Sequence, residues 1–126
     1  MAANSVDGVY NLAIDYGVDG SVPAGTPAGV EKLAYVHRVY NAIMGGGFDF
    51  AMEVIDANEF DRAVEGFRYL DLIEVANLLA ELVGTYGGPD YDEEKEEVFD
   101  DLINESSLVI DAYRRKAGEV PSDFGL

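Results

Sequence analysis

The side chains best placed to do chemistry in this chain are carboxylates. Residues 90–111 contain ten Asp or Glu and one base, Lys95. On a helical wheel of about 100° per residue, with Val98 at zero, the apolar positions Val98, Leu102, Ile103, Ser106, Val109, Ile110 and Tyr113 centre near about 70°. Glu93, Glu97, Asp100, Asp101 and Asp111 fall within about 50° of the opposite direction, and Glu94, Glu96 and Glu105 flank them. Like charges at i, i+4 cost a few tenths of a kcal/mol per pair, so stability alone would intersperse bases. The chemistry open to such a ridge is electrostatic: it receives the cations of a basic partner. Twenty-two helical residues span roughly 33 Å, over which one strand of B-DNA carries about ten phosphates, the same number as the carboxylates here. Glu53, Asp56, Glu59, Asp61, Glu65, Asp71, Glu74 and Glu81 form a second acidic set. Asp61 and Glu65 are its members assigned to the partner surface.

Other candidate chemistry fails on residue type or spacing. His37 is the only histidine; without a partner nucleophile or a second histidine it reads as a structural or surface residue, and it makes neither a general base nor a zinc site. Asp15–Gly20 starts like a calcium loop, but Gly17 and Thr26 occupy the positions that need an acid or Asn and a Glu. Gly45-Gly46-Gly47 is followed by Phe48-Asp49-Phe50, not by the Lys and Ser or Thr of a phosphate-binding loop. No Gly-x-Ser-x-Gly nucleophile motif occurs. The sequence therefore reads as non-enzymatic, with no catalytic residues, no cofactor and no metal site.

The composition agrees. The chain has 126 residues, 25 acids against 8 Lys or Arg, and a formal net charge of -17. The charge is concentrated: residues 1–52 carry net -3, 53–89 carry -6, 90–111 carry -9 and 112–126 carry +1. Nucleic acid and anionic membrane surfaces repel such a polyanion, which excludes both as partners. Yet 48% of residues are hydrophobic, enough to build a core, so the acid excess does not mark a disordered tail. There is no cysteine, which removes disulfides and thiol chemistry. Residues 1–7 lack the pattern of a signal peptide, and no apolar run reaches the roughly 20 residues of a membrane span. The expected location is the cytoplasm.

The elements that must position these residues are helices. Residues 1–16 are expected to form a docking helix and 17–29 a Gly/Pro loop. A helical core follows over 30–118, and 119–126 form an irregular tail. Val30, Leu33, Ala34, Val36, His37, Tyr40, Ile43 and Met44 fit a helix that Gly45–Gly47 ends, before a short helix from Phe48 to Ile55. Asn58 is the expected cap of the next helix, with Asp61 in its first turn. Phe60, Ala63, Val64, Phe67 and Leu70 form its stripe. Asp71 with Glu74 suggests a capping box for a helix carrying Leu72, Ile73, Ala76, Leu79, Leu82 and Val83. The last helix is expected from Tyr91 to Ala117, its final turn basic, with Gly118 beyond it. Period-2 alternation is missing. The fold class is all-α: one compact domain of five or six helices with a long acidic C-terminal helix.

The segment Asn41-Ala42-Ile43-Met44-Gly45-Gly46-Gly47-Phe48 resembles the Asn-Gly-Gly-Phe turn of the small all-helical family typified by the neisserial DNA-mimic protein, many of whose members form a domain of unknown function. Gly46, Gly47 and Phe48 match, while Gly45 stands where the family prefers Asn. The helix around Ala63, Val64, Phe67 and Leu70, the segment Val75–Leu79, and the stretch from Asp111–Lys116 through Pro121–Phe124 are also similar, so the resemblance covers residues 26–125. It implies an all-α domain and, for the founding member, imitation of duplex DNA on a transcription factor's DNA site. The turn that carries it is structural; only the surface charge bears on mimicry.

Three readings of that charge stand open. The first is a DNA mimic occupying the DNA-binding surface of a basic protein, a regulator or a nuclease. The second is an immunity or antitoxin-like protein that neutralises a basic toxin. The third is an acidic helical domain without mimicry, whose charge only keeps it in solution. The sequence leaves a homodimer open.

Overall fold

The computed structural model describes residues 5–105 and 107–126. Among them the chain is all-helical, with six α-helices, a closing 3-10 helix and no strand. The helices are α1 (Val6–Gly17), α2 (Ala28–Val54), α3 (Ala57–Tyr69), α4 (Ile73–Thr85), α5 (Glu93–Ile103) and α6 (Leu108–Glu119), followed by Pro121–Phe124. The expected 1–16 helix is α1; its first four positions lie outside the described residues. The expected 17–29 loop narrows to 18–27, because Gly17 is buried as the last residue of α1 and Gly29 is buried inside α2.

α2 is the central element, with α1 and α3 packed on it; α4 packs on α3, and α5 on α4. α2 buries Val30, Leu33, Val36, Val39 and Ile43. Its helical run continues through Gly45 and Gly46 and breaks only at Gly47, whose φ of 86° and ψ of 176° form a kink. The three glycines were expected to end the helix together. One residue in the left-handed region suffices, since glycine enters it without a Cβ clash. The second arm then brings Phe48 back into the core against Phe99 of α5, with ring centroids 6.4 Å apart.

Three helix starts differ from expectation. α3 is capped by Asp56, not Asn58: the Asp56 carboxylate accepts from Glu59 N at 2.8 Å and Glu59 Oε1 accepts from Asp56 N at 3.2 Å. Such a capping box satisfies donors that the helix cannot pair internally. Asp71 caps nothing. It sits at φ 64° after the end of α3, where its N–H donates to the Arg68 carbonyl, and the N-cap of α4 is Leu72 with no side-chain bond. The expected 91–117 helix is two helices. α5 starts at Asp92, whose carboxylate accepts from Glu94 N and Lys95 N, and ends at Asn104; α6 starts after Ser107. Asn and Ser bond readily to nearby backbone and favour helix ends over interiors. Ser106, expected in the buried stripe, lies outside the described residues.

The expected irregular tail is the 3-10 helix, and it is an anchor. Phe124 is buried against Tyr113, 5.1 Å between centroids. The Tyr69 hydroxyl donates to Asp123 Oδ2 at 2.6 Å, and that of Tyr113 to the Val6 carbonyl at 2.7 Å. Tyr113 thus ties the start of α1 and the closing 3-10 helix to one core.

Candidate functional site

The acidic surface is built on α5. Phe99 and Ile103 point into the core, while Val98, expected to be buried, is 45% exposed. With Phe99 and Ile103 as the inward direction, the inner face turns by about 50° from the expected one on a wheel of about 100° per residue. The outward face then holds Glu94, Glu97 and Asp101, with Glu93 at its edge, and all four are exposed. From Glu93 to Asp101 the axis rises about 12 Å, so the four carboxylates average one per ~4 Å, at uneven intervals of ~1.5, ~4.5 and ~6 Å, against ~3.4 Å between phosphates on one DNA strand.

The same rotation moves Asp100 to the flank, where it is half-buried. Burial raises its carboxyl above the usual carboxylate range, and the neighbouring Glu96, Asp101 and Glu97 push it further in the same direction. Glu96 is also half-buried, accepting from the Tyr91 hydroxyl. Asp111, the fifth member of the expected ridge, is exposed on α6. The break after α5 therefore ends the continuous ridge at Asp101.

Asp61 and Glu65 are exposed on α3 and line a groove of about 370 Å³ against Ala80, Val83 and Gly84 of α4. α4 lies between them and α5. The second acidic row is thinner than expected because the fold uses half of it. Asp56 caps α3, Glu59 is 3.0 Å from Arg38, Asp71 is 3.1 Å from Lys116, and Glu81 is 2.6 Å from Lys95.

The cations explain why α5 stays bare. Besides Arg38, Lys95 and Lys116, Arg62 pairs with Glu31 and Arg114 with Asp7. Lys32 lies over the Tyr69 ring, Arg68 donates to Asn77, and Arg115 donates to the Leu70 carbonyl. All eight Lys and Arg thus have a contact within the molecule. Among the described residues none forms an ion pair with Glu93, Glu94, Glu97 or Asp101. Even Lys95, on α5 itself, reaches across to α4.

His37 is buried, with the Tyr10 and Tyr40 rings edge-on at 5.0 and 6.3 Å. Its Nε2 has no hydrogen-bond partner among the described residues. Burial lowers its pKa to about 4, so near neutral pH it is an uncharged core ring. Among the described residues no group of three or more His, Asp or Glu is arranged to hold a metal ion. No helix there is long and apolar enough to cross a membrane.

Sequence reasoning placed Glu94 only on the flank; the cue that would have centred it was Phe99, a better core residue than Val98. It also placed Ile73 in the apolar pattern of the next helix, where Ile73 is 49% exposed at the start of α4. Comparison with family models, with curated proteins and with solved structures returns no match.

Proposed function

We propose that this protein is a non-enzymatic binding protein of the cytoplasm that presents α5 as a mimic of a DNA strand to the DNA-binding surface of a basic protein. The observation that carries this reading is the exposed acidic face of α5: four carboxylates over about 12 Å, on average one per ~4 Å, with no ion-pair partner among the described residues. Asp100 and Asp101 also lie in the last turn of α5, which holds no base, although the helix dipole there favours cations. A helix selected for stability alone would place Lys or Arg at these positions. The turn at Gly46-Gly47-Phe48 is structural, so the reading rests on the charge of α5, the element that would act.

The mechanism follows that of DNA itself. Fixed carboxylates attract the basic face of the partner, speed encounter and release counterions on contact. The test is capture of a basic DNA-binding protein from native lysate, followed by competition with duplex DNA. The expected result is mutual exclusion of DNA and this protein, with capture lost in the double variant Glu97→Lys/Asp101→Lys. A stable ternary complex with DNA, or undiminished capture by the double variant, contradicts the reading.

A further inference from the structure

Between α4 and α5 runs a groove of about 570 Å³ lined by Ile73, Glu74, Asn77, Leu78, Glu81 and Lys95. Its volume falls in the range of clefts that take up ligand side chains. A single exposed apolar residue is ordinary, but here the half-exposed Ile73 stands in a cleft with Leu78. Val98, 45% exposed, lies one turn beyond Lys95 on α5. The sole cation of the groove is held by Glu81 at 2.6 Å, which leaves Glu74 as net negative charge. The exposed acids of α5 lie beyond this wall. The cleft is thus apolar within and acidic at its rim.

We infer that this groove docks a basic amphipathic helix of the partner, its apolar side chains over Ile73 and Leu78 and its Lys or Arg side chains toward Glu74 and the exposed acids of α5. The sign of the rim selects the occupant: it repels anionic ligands and an acidic second copy of this chain, and it attracts a cationic helix. Helix-in-groove recognition needs this combination of an apolar seat and complementary charge. A DNA strand offers no such seat, so the groove adds to mimicry a contact that salt does not screen. The inference rests on the proposal that the protein receives a basic partner.

The probes are two synthetic peptides of about 18 residues, five helical turns. Both carry the same number of lysines. In one, leucines recur at helical spacing; in the other, serines replace them. Fluorescence anisotropy at low salt is expected to show the leucine peptide binding roughly tenfold tighter, as burial of one or two apolar side chains would give. Ile73→Ser is expected to shrink that advantage to about twofold or less, with helicity by circular dichroism unchanged. A second readout, amide shift mapping of the unaltered protein, is expected to place the leucine peptide on α4 and α5. Equal binding of the two peptides, or an advantage that survives Ile73→Ser, overturns the groove and leaves the acidic-face reading standing. Binding of neither peptide overturns both.

Discussion

α3 and α5 are similar on paper and opposite in use. Each is short, rich in carboxylates and capped by an aspartate. In α3 the first-turn acid and its cap serve the fold, while Asp61 and Glu65 stay exposed. Glu59 closes the capping box and also pairs with Arg38, which donates to the Val18 and Val54 carbonyls and so ties a loop and the end of α2 to α3. Gly66 lets α3 approach α2 so closely that an added Cβ would stand 2.6 Å from the Lys32 carbonyl oxygen. In α5 only Phe99 and Ile103 are buried, and among the described residues the exposed acids have no ion-pair partner. A carboxylate's role is therefore set by whether a base or a helix terminus is brought to it, not by how many carboxylates its helix carries.

Acid sharpens the contrast most. Below the free imidazole's pKa near 6.5 the unfolded chain takes up a proton that His37 in the folded core refuses until about 4. Stability from this group is complete above pH 6.5 and is lost as pH falls toward 4, on the order of 3 kcal/mol at the limit. Asp100 runs the other way: its raised carboxyl means that protonation relieves the fold on the α5 side. Thermal unfolding from pH 7 to pH 4 is expected to show a smaller loss of stability in His37→Phe than in the unaltered protein. Equal losses would remove His37 from the account.

Glu59→Ala is the next largest effect, with an expected cost of about 2–3 kcal/mol, since hydrogen bonds to charged groups are the stronger kind and Arg38 loses its partner. Gly66→Ala is expected to cost about 1–2 kcal/mol, because the methyl meets backbone rather than a yielding side chain. Denaturant unfolding measures both, and a cost below about 0.5 kcal/mol in each would put α3 on the same footing as an ordinary surface helix.

The smallest effect separates the two helices most cleanly. Asp101→Lys is expected to raise stability by a few tenths of a kcal/mol, through relief of repulsion and a better match to the helix dipole, and to weaken partner binding. A variant that is more stable but binds less has lost function, not fold. If Asp101→Lys destabilised the protein, Asp101 would have a structural role that the geometry does not show.

The helical class and most of the core were legible in the sequence because the 3.6-residue apolar period is strong in α2, α3 and α4. What the period could not register was termination. Asn104 and Ser107 interrupt an apolar pattern that otherwise runs on, and hydrophobic spacing does not register residue types that favour helix ends over interiors. The Asp56–Glu59 box was present in the sequence but stood next to Asn58, an equally good cap by type. Asp71 shows the same limit from the other side: Asp tolerates both an N-cap and a left-handed position, and only tertiary packing chooses. For the acidic face, the residues were legible and their rotation was not, since placing Phe99 inward over Val98 turns the face by about 50° on the helical wheel. The pairing of every base elsewhere depends on contacts distant in sequence, such as Arg38 with Glu59 and Lys95 with Glu81.

The central claim is that α5 binds as a strand of phosphates does, and salt dependence of binding tests it most directly. The affinity for the captured basic protein, measured between about 50 and 200 mM salt, is expected to fall linearly on a log–log plot by on the order of a hundredfold, with a shallower slope for Asp101→Lys. An affinity that stays within about threefold over that range, with the same slope in both proteins, would contradict counterion release as the basis of binding and the role assigned to α5.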